Sequence, residues 1–338
     1  LSLMVIGNSQ AELILEEGQK YMYLMGFIGI QMMISSILSS SYREIGRVRV
    51  ILVITLIAAG SNAFLNWVLI YGHLGMPRLE VEGAAYATII AKTVEMLLLI
   101  GYTIKERPEF ISFSVFKRID WALFGRILKK GSLLIISQMM WVLSESFTAA
   151  IYNGRGNAAV VSGMAASFSI ANLFFISFDG ITTATGVLIG KSLGRNELDD
   201  ARKEKTWMLS AAIIFGCIMC LVGVVTVLLV PVVFGNLSID AQNICRAMLL
   251  LMALFMPLWT FVNTQLAVCR AGGDTKVGFL VDGGTTAVMI PMLLILAFFT
   301  NASPVMMYFG VKALDVGKII VATHEMKKER WVVNLSNA

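Results

Sequence analysis

From Trp207 to Phe234 the chain runs 28 residues without a single Asp, Glu, Lys, Arg or His. As a helix this stretch is about 42 Å long, longer than the roughly 30 Å hydrocarbon core of a bilayer. Lipid offers no partner to a free N–H or C=O, so a run of this kind crosses a membrane only as a helix that satisfies its own backbone. Residues 247–269 form a second run free of Asp, Glu, Lys and Arg. Apolar segments of spanning length recur at roughly 20–42, 49–71, 82–104, 131–153, 159–189, 207–234, 246–268, 277–298 and 303–323. Charged residues make up only 14% of the chain and hydrophobic ones 57%, with a mean hydropathy of +0.77. Soluble domains carry about 25% charged residues. The expected fold class is therefore all-α, a polytopic transmembrane protein with about nine full spans. The opening LSLMVIG reads as the tail of a further span, because it lacks a basic n-region and a small-residue cleavage site.

The net charge of +5 raises the question of a nucleic-acid partner, and the placement of the charges accounts for it without one. Taking the loops alternately, one side of the membrane collects 20 Lys and Arg residues and the other side four, Lys20, Arg78, Arg155 and Arg246. Such a bias is the positive-inside pattern, which predicts that the rich side, and with it the C-terminus, is cytoplasmic. The partner it implies is the lipid bilayer.

Cys217 and Cys220 spell C-x-x-C, but inside the longest apolar run, where neither a thiolate nor a metal charge is readily accommodated. With Cys245, Cys269, His73 and His324 at span ends, no structural metal cluster can be assembled. No cofactor is expected. The spans also lack a His-rich, Ser/Lys or paired-carboxylate constellation of the kind an enzyme needs.

Two short charged knots interrupt the apolar pattern: SSSYREIGRVRV (39–50) and CRAGGDTK (269–276). Both contain R-x-x-G, at Arg43/Gly46 and Arg270/Gly273. Each follows a span that is itself preceded by Gly-Asn, Gly7-Asn8 and Gly235-Asn236, with spacings of 36 and 35 residues from Gly to Arg. The chain thus reads as two copies of one unit in the same orientation, a parallel repeat of the sort found in secondary transporters. The offset places the boundary near residue 111, in KERPEFISF. Residues 1–111 are then the C-terminal half of a first bundle and 112–338 a second, six-helix bundle, with about 116 residues expected ahead of Leu1.

Further motifs point to a family. GSNAFLNWVLIYGHLGMPRLEVEGAAYATIIAKTVE (60–95) resembles the fifth and sixth helices of the multidrug and toxic compound extrusion (MATE) family. It carries the pair Asn62/Asn66, then Gly72, Gly75 and Pro77, then Gly83, Ala84, Ala85, Ala87 and Thr88. IGKSLGRNELDDARK (189–203), RAGGDT and RWVVNL are similar to later parts of the same family, so the likeness runs over essentially the whole chain. It implies a monomeric antiporter that exports small amphipathic or cationic organic compounds from the cell against an inward Na⁺ or H⁺ gradient, through a cavity between two six-helix bundles. A lipid-linked saccharide flippase of the same superfamily is the alternative. Flippases tend to place several basic residues in the cavity, whereas here only Lys92 stands out well inside a span. An inactive, truncated membrane protein is the second alternative.

Independently of any likeness, small residues at Gly83–Ala87 suit close helix packing, and Asn196 is a candidate N-cap ahead of Asp199 and Asp200. Residues 189–203 read as an amphipathic connector at the headgroups. The 20 methionines could line a cavity, although methionines more often fill helix contacts.

Ion or substrate binding is expected at polar groups that hydrocarbon makes costly. Glu145 lies seven residues after Gln138 and shares its face, and Asp179 lies seven after Asn172. Asn263 sits in the preceding run, and Asp282 near Lys276 is expected to pair with it. If a metal ion is taken up, Na⁺ at Glu145 and Asp179 is the expectation. Sodium-coupled members of the family usually carry acids in the seventh and tenth helices. Here the seventh reads Ser137-Gln138 where relatives have Asn-Glu, with Glu145 two turns later, and the tenth has no acid. Lys92 and Glu95 form a predicted local pair, and Lys312, Asp315 and Lys318 a polar face on the last helix.

Overall fold

The computed structural model describes residues 19–108, 120–156, 158–300 and 302–334. All regular elements among them are helical. The opening segment, Gly7-Asn8 and the expected boundary at residue 111 lie outside the described residues. The chain divides into two compact units, changing between Asp120 and Trp121.

In the first unit α1 (Gln19–Met25) and α2 (Ile28–Glu44) meet at a bend of 45° and only as a pair are long and apolar enough to cross a membrane. They are followed by α3 (Val48–Tyr71) and α4 (Glu80–Glu106). The small residues of α4 do what their size suggests. A Cβ on Gly83 would stand 2.7 Å from the Leu69 carbonyl oxygen, and Ala85 and Ala87 are fully buried. Two sequence motifs meet at this contact: Asn66 Nδ2 donates to Asn62 Oδ1 at 3.0 Å, and Asn62 Nδ2 approaches Thr88 Oγ1 at 3.5 Å. Farther along, the Tyr42 hydroxyl donates to Thr103 at 3.1 Å. Lys92 and Glu95 pair at 2.8 Å, as their spacing predicts.

The second unit comprises α5 (Trp121–Arg155), α6 (Ala158–Gly194), α7 (Leu198–Val233), α8 (Ile239–Ala271), α9 (Thr275–Gly278), a π-helical turn (Phe279–Gly283), α10 (Gly284–Phe299), α11 (Pro304–Ala313) and α12 (Asp315–Lys327). Helix α8 is central, packed against α6, α7 and α12. Met248, Met252 and Met256 along it, with Met164, Met289 and Met307, are all buried; these methionines fill helix contacts.

Among the described residues seven helices are each long and apolar enough to cross a membrane, eight where the bent α1–α2 pair is counted as one. The span expected over 303–323 differs: it is two helices, α11 and α12, meeting at Leu314. Backbone bonds tighten there to three-residue steps, from Leu314 N to Val311 O and from Gly317 N to Leu314 O, as in a 3₁₀ turn.

Both charged knots build the same local structure. The Gly46 N–H bonds to the Arg43 carbonyl and the Arg47 N–H to that of Tyr42, each at 2.9 Å; Gly273 to Arg270 and Asp274 to Cys269 repeat the pattern at the same distance. This is the Schellman helix ending, which needs a left-handed residue. Gly46 and Gly273 supply it, with φ of 81° and 76°. Asn196 takes the same position after α6, at φ 63°. It ends one helix instead of capping the next, and the residue at the N-cap of α7 is Glu197. The segment 189–203 is accordingly no separate connector, because α6 continues through Lys191 to Gly194 and α7 resumes at Leu198.

At the basic end of this unit three sequence motifs pack together. Trp331 is buried among Ile189, Leu193, Ala201, Leu266, Val268 and Ala322. Lys205 lies 5.8 Å over its ring, and Arg202 bonds Glu329 at 2.9 Å. The Arg202 hydrogen bond, then its charge, holds the Glu329 carboxyl below its ordinary value, and Lys328 does the same for Glu325. A carboxyl depressed in the folded state stabilises it above the ordinary value near 4.5, and that stability is lost as pH falls through the lower folded value. Melting of the wild type in detergent should therefore weaken as pH falls below the ordinary carboxyl value of 4.5, and Glu329→Gln should show a shallower decline. Equal slopes would remove Glu329 from the pH dependence.

Candidate functional site

Along α5, Glu145 lies 16 residues, about 24 Å of helix axis, from Lys129 at the basic end and about 10 Å short of the other end of the span at Tyr152. Its Oε1 accepts a 2.9 Å bond from Lys312 Nζ on α11, with the lysine side chain 15% and the glutamate side chain 35% exposed. The ammonium also lies 5.8 Å from the Trp259 ring centre and 5.5 Å from that of Tyr308, inside the range of cation–π attraction.

A second ion pair adjoins the first. Asp315, at the start of α12, bonds Lys318 at 3.1 Å and accepts Trp259 Nε1–H at 2.8 Å. That bond fixes the indole ring, which Phe175 and Phe255 flank at 5.9 and 5.7 Å between centres. Tyr308 is 2% exposed and Tyr152 1%, their ring centres 6.3 Å apart. The Tyr152 hydroxyl is buried with no hydrogen-bond partner among the described residues. Two cations and two carboxylates thus balance inside an aromatic wall, which is how charge survives in a low dielectric. Lys312 and Asp315 do share a polar face, but each turns to a different helix. Lys92 is consequently not the one lysine well inside a span.

The other expected site residues fall elsewhere. Asp179 and Asn172 are exposed on one face of α6, and Asp179 lies 12 residues, roughly 18 Å, from Lys191. Among the described residues its carboxylate has no hydrogen bond or ion pair. Asp282, in the π-helical turn, accepts from Ser137 Oγ at 3.0 Å. The expected pairing of Asp282 with Lys276 does not form: the π turn aims the carboxylate at α5 instead. Gln138 is exposed, and so is Asn263, whose Nδ2 donates to its own helix at Trp259 O, 2.8 Å away. The six residues therefore do not converge. Lys312, Trp259, Tyr308 and Asp315 are the additions, and the signal that pointed to them was the lysine in the otherwise apolar run 303–313.

The MatE family model matches residues 134–307, which hold Glu145, Asp179 and Trp259 and end just before Tyr308. This chain belongs to the MATE family. A Mesorhizobium japonicum protein that carries the name multidrug resistance protein NorM is 26% identical over 82% of this MATE chain and 61% of its own length. A Listeria innocua protein of the same name is 24% identical over 90% of the chain and 67% of its own. The chain spans about three fifths of the length of the first of these curated relatives. Among solved structures, the inward-facing conformation of a multidrug resistance MATE family transporter of the MOP superfamily is similar at a TM-score of 0.72 and 16% identity, covering 94% of this chain and 71% of that one. A mutant of the Vibrio cholerae MATE transporter VcmN gives 0.71, at 16% identity, over 93% and 69%. The helical fold is thus that of MATE transporters.

Proposed function

We propose that this MATE chain acts in a plasma-membrane antiporter that exports amphipathic, cationic organic compounds by alternating access, driven by an inward H⁺ or Na⁺ gradient. The observation that carries the reading is Asp179, an exposed carboxylate in the middle of a spanning helix with no ion-pair partner among the described residues. Such a group is costly against lipid tails, so it faces water or a bound cation. Loading of that carboxylate biases one access state over the other. Glu145 serves differently, because its ammonium partner is already in place. The relatives named for multidrug resistance support the substrate class, and the basic loops support a cytoplasmic C-terminus.

The test is efflux of a fluorescent organic cation from proteoliposomes holding the full-length protein, under an imposed ΔpH or ΔNa⁺. Asp179→Asn is expected to reduce gradient-driven flux to the rate of protein-free vesicles while leaving the protein folded. Unchanged coupled flux would remove Asp179 from the mechanism. Flux that ignores both gradients would remove antiport altogether.

A further inference from the structure

The arrangement about Lys312 is that of a ligand in a receptor. One carboxylate oxygen of Glu145 takes the ammonium at 2.9 Å, while the rings of Trp259 and Tyr308 stand 5.8 and 5.5 Å from it. Carboxylate plus aromatic faces is the chemistry by which proteins hold ammonium ions. The groups that face this place from neighbouring elements are few. Asp315 on α12 is engaged by Lys318 and the indole N–H. The Tyr152 hydroxyl on α5 is buried, without a hydrogen-bond partner among the described residues, and within electrostatic reach of both Lys312 and Glu145. A hard metal cation needs about six oxygen ligands, and this surround is mostly aromatic.

We propose that Glu145, Trp259 and Tyr308 form a binding cage for an alkylammonium group, which Lys312 fills as a tethered ligand and thereby closes to free cations. The class of free ligand is a small primary ammonium, with Na⁺ a poor substitute. Lys312 is then the residue that decides what the second bundle takes up. Its bearing on coupling rests on the efflux reading above; the binding itself does not.

Lys312→Ala leaves the cage vacant with its carboxylate in place. In the purified full-length protein, ethylammonium chloride should raise the melting temperature of this variant in a saturable way. The half-saturating concentration should be at least about tenfold lower than for sodium chloride, a difference of roughly 1.4 kcal/mol. The wild type, whose lysine already fills the cage, should show no such response. Glu145→Gln/Lys312→Ala, which has no carboxylate to bind, should show none either. Equal effects of the two salts on Lys312→Ala would overturn the proposal, as would a wild type that responds like the variant. If Lys312→Ala is recovered only unfolded, growth with ethylammonium should restore folded protein, and failure to do so would overturn it equally. Neither result depends on transport, so a protein that binds ethylammonium and moves no drug would sink the efflux reading alone.

Discussion

Gly272→Ala should lower stability by about 3–5 kcal/mol, as much as losing a buried tryptophan side chain. A Cβ at this position would stand 1.8 Å from the Trp331 carbonyl oxygen, and the obstacle is backbone that cannot rotate away. Gly272 itself has an ordinary φ of −86°, so the requirement is for space and not for conformation. The substitution has to push the C-terminal segment off, which takes Trp331 out of its cluster and separates Glu329 from Arg202. Trp331→Ala removes the same packing from the other side. The two changes should therefore be strongly non-additive, the pair costing little more than either alone. Thermal melting of the three variants in one detergent measures this directly. Additive losses would mean that Trp331 stays docked when Gly272 is replaced.

The second large effect is expected at Lys312. Replacing it with methionine keeps the apolar stem and removes the charge, leaving Glu145 against the aromatic wall without a partner. Breaking a buried pair on one side typically costs 3–5 kcal/mol. The lower end, about 3 kcal/mol, is appropriate here, since Glu145 is about a third exposed and water screens part of the charge. Removing both charges in Glu145→Met/Lys312→Met should recover most of the loss, because a well-packed apolar pair is often as stable as the ions it replaces. In a unit of this size 3 kcal/mol corresponds to a fall of roughly 6–12 °C in melting temperature. If the single variant melts with the wild type, the ion pair contributes nothing to folding.

What could be read ahead of the structure follows from where each feature is encoded. Spans were legible because bilayer thickness imposes a length that any local window reveals, as 207–234 does. The two knots were legible because a left-handed helix ending favours glycine, and Gly46 and Gly273 stand at matching places. Sequence could not separate the roles of Gly272 and Gly273, since one serves contact and the other dihedral angle. Asn196 misled for a related reason: asparagine suits both a helix start and a left-handed ending. The Glu145–Lys312 pair joins residues 167 positions apart, and nothing local to either names the other. The split of the last span was equally hidden, with neither proline nor glycine at Leu314 to announce it.

That split has a mechanical corollary. On one side of Leu314, α11 is fastened through Lys312 to α5; on the other, α12 is fastened through Asp315 to the indole of α8. A single residue thus joins two anchorages on two different helices. Any sliding of α5 past α8 would have to be absorbed as flexing at that joint, which makes the α11–α12 pair the natural strain gauge of its unit.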